Sequence, residues 1–247
     1  MTTELRDAPT LLPYARSEHR RPAWAGRLIR LAAVIVGLAA WFGSQAVIGG
    51  LPHPPPGTIG DGLHRLTAPV NAYLLAHRGA AHALLIASSA VIDALAMFLL
   101  AASVFGRTIR PFVGLLILFG LRQSCQLLCT LPPPQGMIWE YPGSPSLLVT
   151  YGVSSDLFFS GHTALAVYGG IALARVGGRY KRWLTALGIA AAVFEVVVVL
   201  VLRAHYTMDV FAGAVTAVAV AFVAERAAPP VDRWLGRLAS GRRRARL

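Results

Sequence analysis

Apolar positions along this chain fall in long blocks rather than in stripes. Predominantly apolar stretches cover 31–51, 80–105, 112–131, 160–176, 184–202 and 209–224, each roughly 16 to 26 residues long. A helix rises about 1.5 Å per residue and the hydrocarbon layer of a bilayer is about 30 Å thick, so about 20 residues cross it. A spanning β-strand would show alternating polarity over about 10 residues, which is not the pattern here. The blocks therefore predict an all-α fold, a polytopic membrane protein built as a bundle of six transmembrane helices. They also divide the chain into a basic N-terminal segment at 1–30, a six-helix membrane domain at 31–225 and a basic tail at 226–247.

Composition agrees with the pattern. Hydrophobic side chains make up 55% and charged ones 14%, with a mean hydropathy of +0.58, whereas soluble domains run at about 45–50% and about 25%. A net charge of +12 would suggest nucleic acid in a soluble chain, but the distribution of the charge points to a membrane instead. Of 23 Lys and Arg, nineteen flank one side of the expected helices: six before Leu31, Arg107 and Arg110, four from Arg175 to Arg182, and seven from Arg226 onward. Arg65, Arg78, Arg122 and Arg203 remain for the other side. The positive-inside rule then places both termini in the cytoplasm and turns 52–79, 132–159 and 203–208 outward, as expected of a plasma-membrane protein. Arg242-Arg243-Arg244 is suited to anionic headgroups, and no nucleic-acid partner is expected. The small-x-small sequence Ser44-Gln45-Ala46 resembles a signal-peptide cleavage site, but the polar segment before it is long and the apolar run continues, so the stretch is read as a span. Cys125 and Cys129, one helical turn apart, read as packing residues rather than metal ligands, and no metal or cofactor is expected.

Ionisable groups near membrane depth are costly and mark function. They are Asp93, Arg122, Asp156, His162, Glu195, Arg203, His205 and Asp209. The predicted topology brings all but Asp93 and Glu195 to the outer helix ends; those two fall mid-span, where interior pairing or a proton path would account for them.

Two outer elements carry candidate chemistry. In Ser160-Gly161-His162-Thr163 a Ser-Gly pair opens a helix, so that free N–H groups and the positive dipole end face outward, a ready phosphate site. His162 can reach the same anion and donate a proton to a leaving oxygen. In Arg203-Ala204-His205-Tyr206-Thr207-Met208-Asp209, His205 and Asp209 are four apart, and on one helical turn the carboxylate can hold one ring nitrogen and leave the other nucleophilic. Taken singly, each element also reads as an ordinary helix start.

Together, Ser160-Gly161-His162 and His205-x-x-x-Asp209 resemble the second and third motifs of the type 2 phosphatidic acid phosphatase superfamily. Phe159-Ser160-Gly161-His162-Thr163, His205-Tyr206-Thr207-Met208-Asp209-Val210, and Arg122 followed by Thr130-Leu131-Pro132-Pro133-Pro134 are similar to its sphingomyelin synthase branch, as is Asp156 six residues before His162. The first motif of the broad superfamily is absent, and Val199 stands where its third motif has arginine, which leaves Arg203 as the nearest cation for that role. The resemblance implies a metal-independent lipid phosphotransferase that moves a phospholipid headgroup to a lipid alcohol. On that reading His205, oriented by Asp209, becomes a phosphohistidine, His162 is acid and then base, and Arg122, Asp156, Ser160, Gly161 and Arg203 bind substrate. With water as acceptor the same triad gives a lipid phosphatase or a phospholipase C-type hydrolase. A transporter would place Gly or Pro breaks at mid-span, whereas the interruptions here are read at the outer ends, and an intramembrane serine protease using Ser160 would need a Gly-x-Ser turn, whereas Phe158 stands two residues before Ser160.

Overall fold

The computed structural model describes residues 23–50, 59–143, 146–147, 149, 151 and 157–240, which form helices and connecting segments and no strand. In chain order the helices are α1 (Ala23–Gly49), α2 (Gly62–Leu66), α3 (Ala68–Ala76), α4 (Arg78–Phe105), α5 (Arg110–Leu128), α6 (Gly161–Val176), α7 (Lys181–Val201) and α8 (Thr207–Ser240). A 3-10 turn at Gly178–Tyr180 joins α6 to α7. Five of these helices, α1, α4, α5, α7 and α8, are long and apolar enough to cross a membrane. The fold is all-α, as the apolar blocks predict, but the count of six spans is met only at five. The remaining block forms α6, whose 16 residues reach about 24 Å at about 1.5 Å each, short of the hydrocarbon layer.

α6 is short because it is the centre of the bundle rather than part of its wall. Ala164, Leu165, Ala166, Tyr168 and Ala172 are all buried, and the helix packs against α4, α5, α7 and α8. Small residues let backbones approach there: a Cβ built on Gly188 of α7 would stand 2.6 Å from the Cα of Gly170 in α6. The Tyr168 hydroxyl lies 3.2 Å from the carbonyls of both Arg110 and Pro111 at the start of α5. It sits in a notch that only a glycine at 114 leaves open.

The ends of the bundle differ from the expected pattern in two places. Within 52–79, α2 and α3 form a helical pair, with Asp61 as the N-cap of α2; the Pro-rich turn at 53–57 lies outside the described residues. At the other end the last helix does not stop at Ala224 but continues through Pro229 and Pro230 to Ser240. Its extension is anchored by Asp232, which accepts from the Ile109 N–H at 2.9 Å and the Thr108 hydroxyl at 2.6 Å and so caps α5. Residues 226–240 of the basic tail are thus part of α8, while Arg242-Arg243-Arg244 falls outside the described residues. Asp93 and Glu195 do not bond each other. Asp93 accepts from the Leu147 N–H at 2.7 Å, and Glu195, fully buried, accepts from the Ser88 hydroxyl at 2.6 Å.

Where α5 ends and α6 begins, the connecting segment is pinned over the helix ends. The Ile138 N–H donates to the Leu202 carbonyl at 2.8 Å, and the Tyr206 hydroxyl to the Pro132 carbonyl at 3.0 Å. Glu140 bonds Arg78 at 2.7 Å and His82 at 3.2 Å at the start of α4. These ties set Trp139 down over the candidate site.

Candidate active site

Ser160 is the N-cap of α6: its hydroxyl accepts from the Thr163 N–H at 3.3 Å and donates to the Thr163 hydroxyl at 3.0 Å. The first turn of a helix lacks internal partners for its N–H groups. With Thr163 satisfied by this cap, Gly161 and His162 carry the donors for which the helix itself has no partner. The N–H of Ser160, expected to help hold an anion, is instead given to the Asp209 carbonyl at 3.0 Å, which ties α6 to the start of α8. Gly213 allows this tie, since a Cβ there would stand 2.6 Å from the Ser160 carbonyl oxygen.

Arg122, near the end of α5, is buried beside that helix start. Its Nε donates to the Phe159 carbonyl at 3.4 Å and its Nη1 to Gln45 of α1 at 3.1 Å. Gly161 makes room for it, because a Cβ at that position would lie 3.0 Å from Arg122 Nε. The glycine of the Ser-Gly-His sequence thus permits a guanidinium to approach the positive end of a helix. The full charge of the guanidinium and the partial charge of the helix end, in one place, favour an anion between them.

His205 lies in the turn before α8. Its Nδ1 is 2.8 Å from the Leu157 carbonyl oxygen, and because a carbonyl only accepts, the neutral ring carries its proton on Nδ1 and its lone pair on Nε2. Leu157 therefore supplies the orienting contact expected of Asp209. The Asp209 carboxylate, fully buried, turns back to the Tyr206 N–H at 2.9 Å, the reciprocal bond of a capping box at the start of α8. Its other oxygen has no hydrogen-bond partner among the described residues. Spacing of four residues does not bring His205 and Asp209 together, because His205 precedes the helix instead of occupying its first turn.

The turn at 203–207 is held from outside by α2. Asp61 accepts from both the N–H and the hydroxyl of Thr207, each at 2.6 Å, and from the His64 N–H at 3.0 Å, while His64 Nε2 meets the His205 carbonyl at 2.9 Å. Burial opposes the charge on Asp61, but the bonds from Thr207 and His64 outweigh it and hold the carboxyl below its ordinary range. Residues with left-handed backbone precede both histidines: Phe159 at φ 76° and Arg203 at φ 52°. Such conformations cost non-glycine residues free energy, and they are often found at functional turns.

One cavity brings His162, His205, Arg122 and Gly161 together, with Trp41 and Gln45 of α1, Leu157, and Trp139 as a lid whose ring meets His162 edge-on at 5.1 Å. Its volume is about 50 Å³, room for about four water-sized groups. Nε2 of His162 is buried there without a hydrogen-bond partner among the described residues. Arg203 is placed elsewhere: its guanidinium clamps the Gln135 and His64 carbonyls. Ser160 and Asp209 stand behind the wall as caps, and Asp156 lies outside the described residues. Sequence reasoning missed Gln45, Asp61 and His64. A search limited to ionisable residues at the ends of apolar blocks passes over Gln45 by type and the other two by position. The Asp61-x-x-His64 spacing, an acidic N-cap just before a histidine, is the one signal that would have found that pair.

Fold and site together define an all-helical membrane protein that gathers its polar chemistry around a small cavity at one end of the bundle. The chain belongs to the AtPDCT1/2 family, whose profile matches residues 61–226. That family is named for phosphatidylcholine:diacylglycerol cholinephosphotransferase and is related to sphingomyelin synthase, which makes it a family of membrane lipid headgroup transferases. No curated protein and no solved structure gives a significant match. α1, which contributes Trp41 and Gln45 to the cavity, lies before the matched segment.

Proposed function

We propose that this protein transfers a phosphocholine-type headgroup from a phospholipid to a lipid alcohol, with phosphatidylcholine as donor and diacylglycerol as acceptor, through a phosphohistidine on His205. The observation that carries this reading is the His205 Nδ1 bond to the Leu157 carbonyl inside the cavity that also holds His162: it fixes the tautomer in which Nε2 is the nucleophile. In the first half-reaction Nε2 attacks phosphorus, the bond from phosphorus to the glycerol oxygen breaks, and His162 gives its proton to that oxygen. In the second half His162 takes a proton from the incoming hydroxyl, the new oxygen bonds phosphorus, and the bond to His205 breaks. Arg122 and the Gly161 and His162 N–H groups stabilise the phosphoryl oxygens, whose charge such a transition state spreads. Asp209 acts through the backbone, holding the start of α8 and with it the His205 turn.

By the charge distribution, the site faces away from the cytoplasm of a plasma-membrane protein with both termini inside. α6 then serves as a sixth, central span that starts below the outer surface.

The test is purified protein in nanodiscs of headgroup-labelled phosphatidylcholine, with and without a diacylglycerol whose acyl chains differ from the donor's, so that labelled product is told from donor by mass. Labelled lipid product should exceed free phosphocholine when diacylglycerol is present, and acid-labile label should be trapped on the protein but not on a His205→Ala variant. Replacing Trp139 by serine should move product toward free phosphocholine, because that ring limits water at His162. Free phosphocholine as the main product of the wild type would make the protein a hydrolase, and absence of the trapped label would refute the covalent route.

A further inference from the structure

Beside the polar cavity lies a second, apolar one that shares two of its walls. Trp41 and Phe119 line both, their rings stacked with centroids 4.4 Å apart. The second cavity runs between α1 and α5, past Gly120 and Leu116 to Gly37 and Phe112, and its volume is about 200 Å³. It is about four times the polar cavity, which is too small for anything beyond the phosphoryl region of a lipid. From Gln123 to Phe112 along α5 is about 16 Å at about 1.5 Å per residue, close to half of a hydrocarbon layer of about 30 Å. The groove leads away from the site end toward the middle of the bundle, the direction in which the chain of a lipid hangs from its headgroup.

Its walls have the character of a lateral opening. α1 is the most loosely held of the long helices, with only 6% of its apolar window buried, and polar ties to α5 gather near the site end, where Ser44 donates to Gln123 at 2.6 Å and Gln45 accepts from Arg122 at 3.1 Å. Further along, Gly120 presents open space, with no atom within 4 Å of where its Cβ would be. At the junction of the two cavities the buried indole N–H of Trp41 has no acceptor among the described residues, at the depth where the ester carbonyl of a glycerolipid would lie.

Resting on the transferase reading above, we infer that the groove between α1 and α5 is the binding site for an acyl chain of the reacting glycerolipid, with Trp41 as its polar mouth. Donor and acceptor both carry such a chain, and the experiment separates them. Wild-type protein in nanodiscs is irradiated with phosphatidylcholine, or separately with diacylglycerol, bearing a mid-chain diazirine, and the labelled peptides are mapped. Crosslinks in α1 and α5 around Gly37, Leu116 and Gly120 support the site, and the lipid that gives them names the occupant. A Gly120→Phe variant, whose ring fills the groove, should lose those crosslinks. Its ratio of kcat/KM for dioleoyl over dihexanoyl phosphatidylcholine should also fall about tenfold, the equivalent of about two methylenes withdrawn from apolar contact. Crosslinks confined to other helices, or an unchanged ratio in Gly120→Phe, would overturn the assignment. The crosslinking arm does not need turnover, so mapped crosslinks in a protein that transfers nothing would keep the groove and sink the transferase reading. Active protein with no crosslinks in α1 or α5 would do the reverse.

Discussion

Replacing Asp61 with asparagine should slow the reaction without touching a group that meets substrate. The carboxylate takes three hydrogen bonds, two from Thr207 and one from His64. An amide has one oxygen for these donors and turns an NH2 toward at least one of them. Leaving one buried donor unpaired costs about 1–3 kcal/mol, and the loss falls on the turn that carries His205. If that cost appears in the transition state, kcat falls about 10- to 100-fold, at about 1.4 kcal/mol per decade. KM for the donor should stay within about twofold, since neither Asp61 nor Thr207 lines the cavity. The pH dependence gives an independent readout. Asp61 is held below its ordinary value of 3.8, so its contribution to stability is complete above that value and is lost as pH falls through the lower folded one. Thermal unfolding followed by tryptophan fluorescence should therefore show a steeper fall below about pH 4 for the wild type than for Asp61→Asn. Headgroup transfer measured alongside completes the assay. An Asp61→Asn protein with native kcat, or one whose lost activity matches a lost folded fraction, would refute the positioning role of α2.

Three further outcomes follow from the same geometry. Gly161→Ala should leave thermal stability unchanged or slightly raised, since alanine is favoured over glycine in a helix by about 0.5–1 kcal/mol; its Cβ, 3.0 Å from Arg122 Nε, should displace the guanidinium and cut kcat/KM about tenfold or more, whereas equal losses in stability and activity would mean that the glycine serves packing alone. His162→Ala and His205→Ala should each lower turnover about a thousandfold or more with unchanged elution and unfolding temperature, and near-native turnover in either would remove that histidine from the mechanism. In a background with Cys125 and Cys129 replaced by serine, a Tyr141→Cys protein should react with a membrane-impermeant thiol reagent in intact cells and an Arg179→Cys protein should not; the opposite labelling would invert the orientation.

What could be read from the sequence follows from how local each determinant is. Apolar block length gives α4, α5 and α7 nearly residue for residue, because a helix that crosses lipid must satisfy its backbone internally and its neighbours only trim the ends. The same block statistics cannot tell α6 from a full span: its residues are as apolar as the others, and only the packing of four helices around it, through contacts such as Gly170 on Gly188, shows why so short a helix suffices. The reach of α8 beyond Ala224 is likewise hidden, since it depends on Asp232 finding the first turn of α5, more than a hundred residues away in the chain. At the site, Ser160, Gly161 and His162 act within one helix start, and sequence alone identifies what that start offers. His205 and Asp209 show the limit of spacing arguments. An i to i+4 pair meets only if both residues are inside one helix, and here the helix begins at Thr207. The partners that position His205 come from Leu157 and from α2, at sequence separations of 48 and 141 residues. On the proposed mechanism His205, held by distant backbone atoms and by a capping aspartate, should tolerate substitution of its neighbours in sequence more readily than loss of those remote contacts. Asp209, bonded to the Tyr206 N–H, therefore belongs to the architecture of the α8 start, and its mutation should report on that start before it reports on any chemistry.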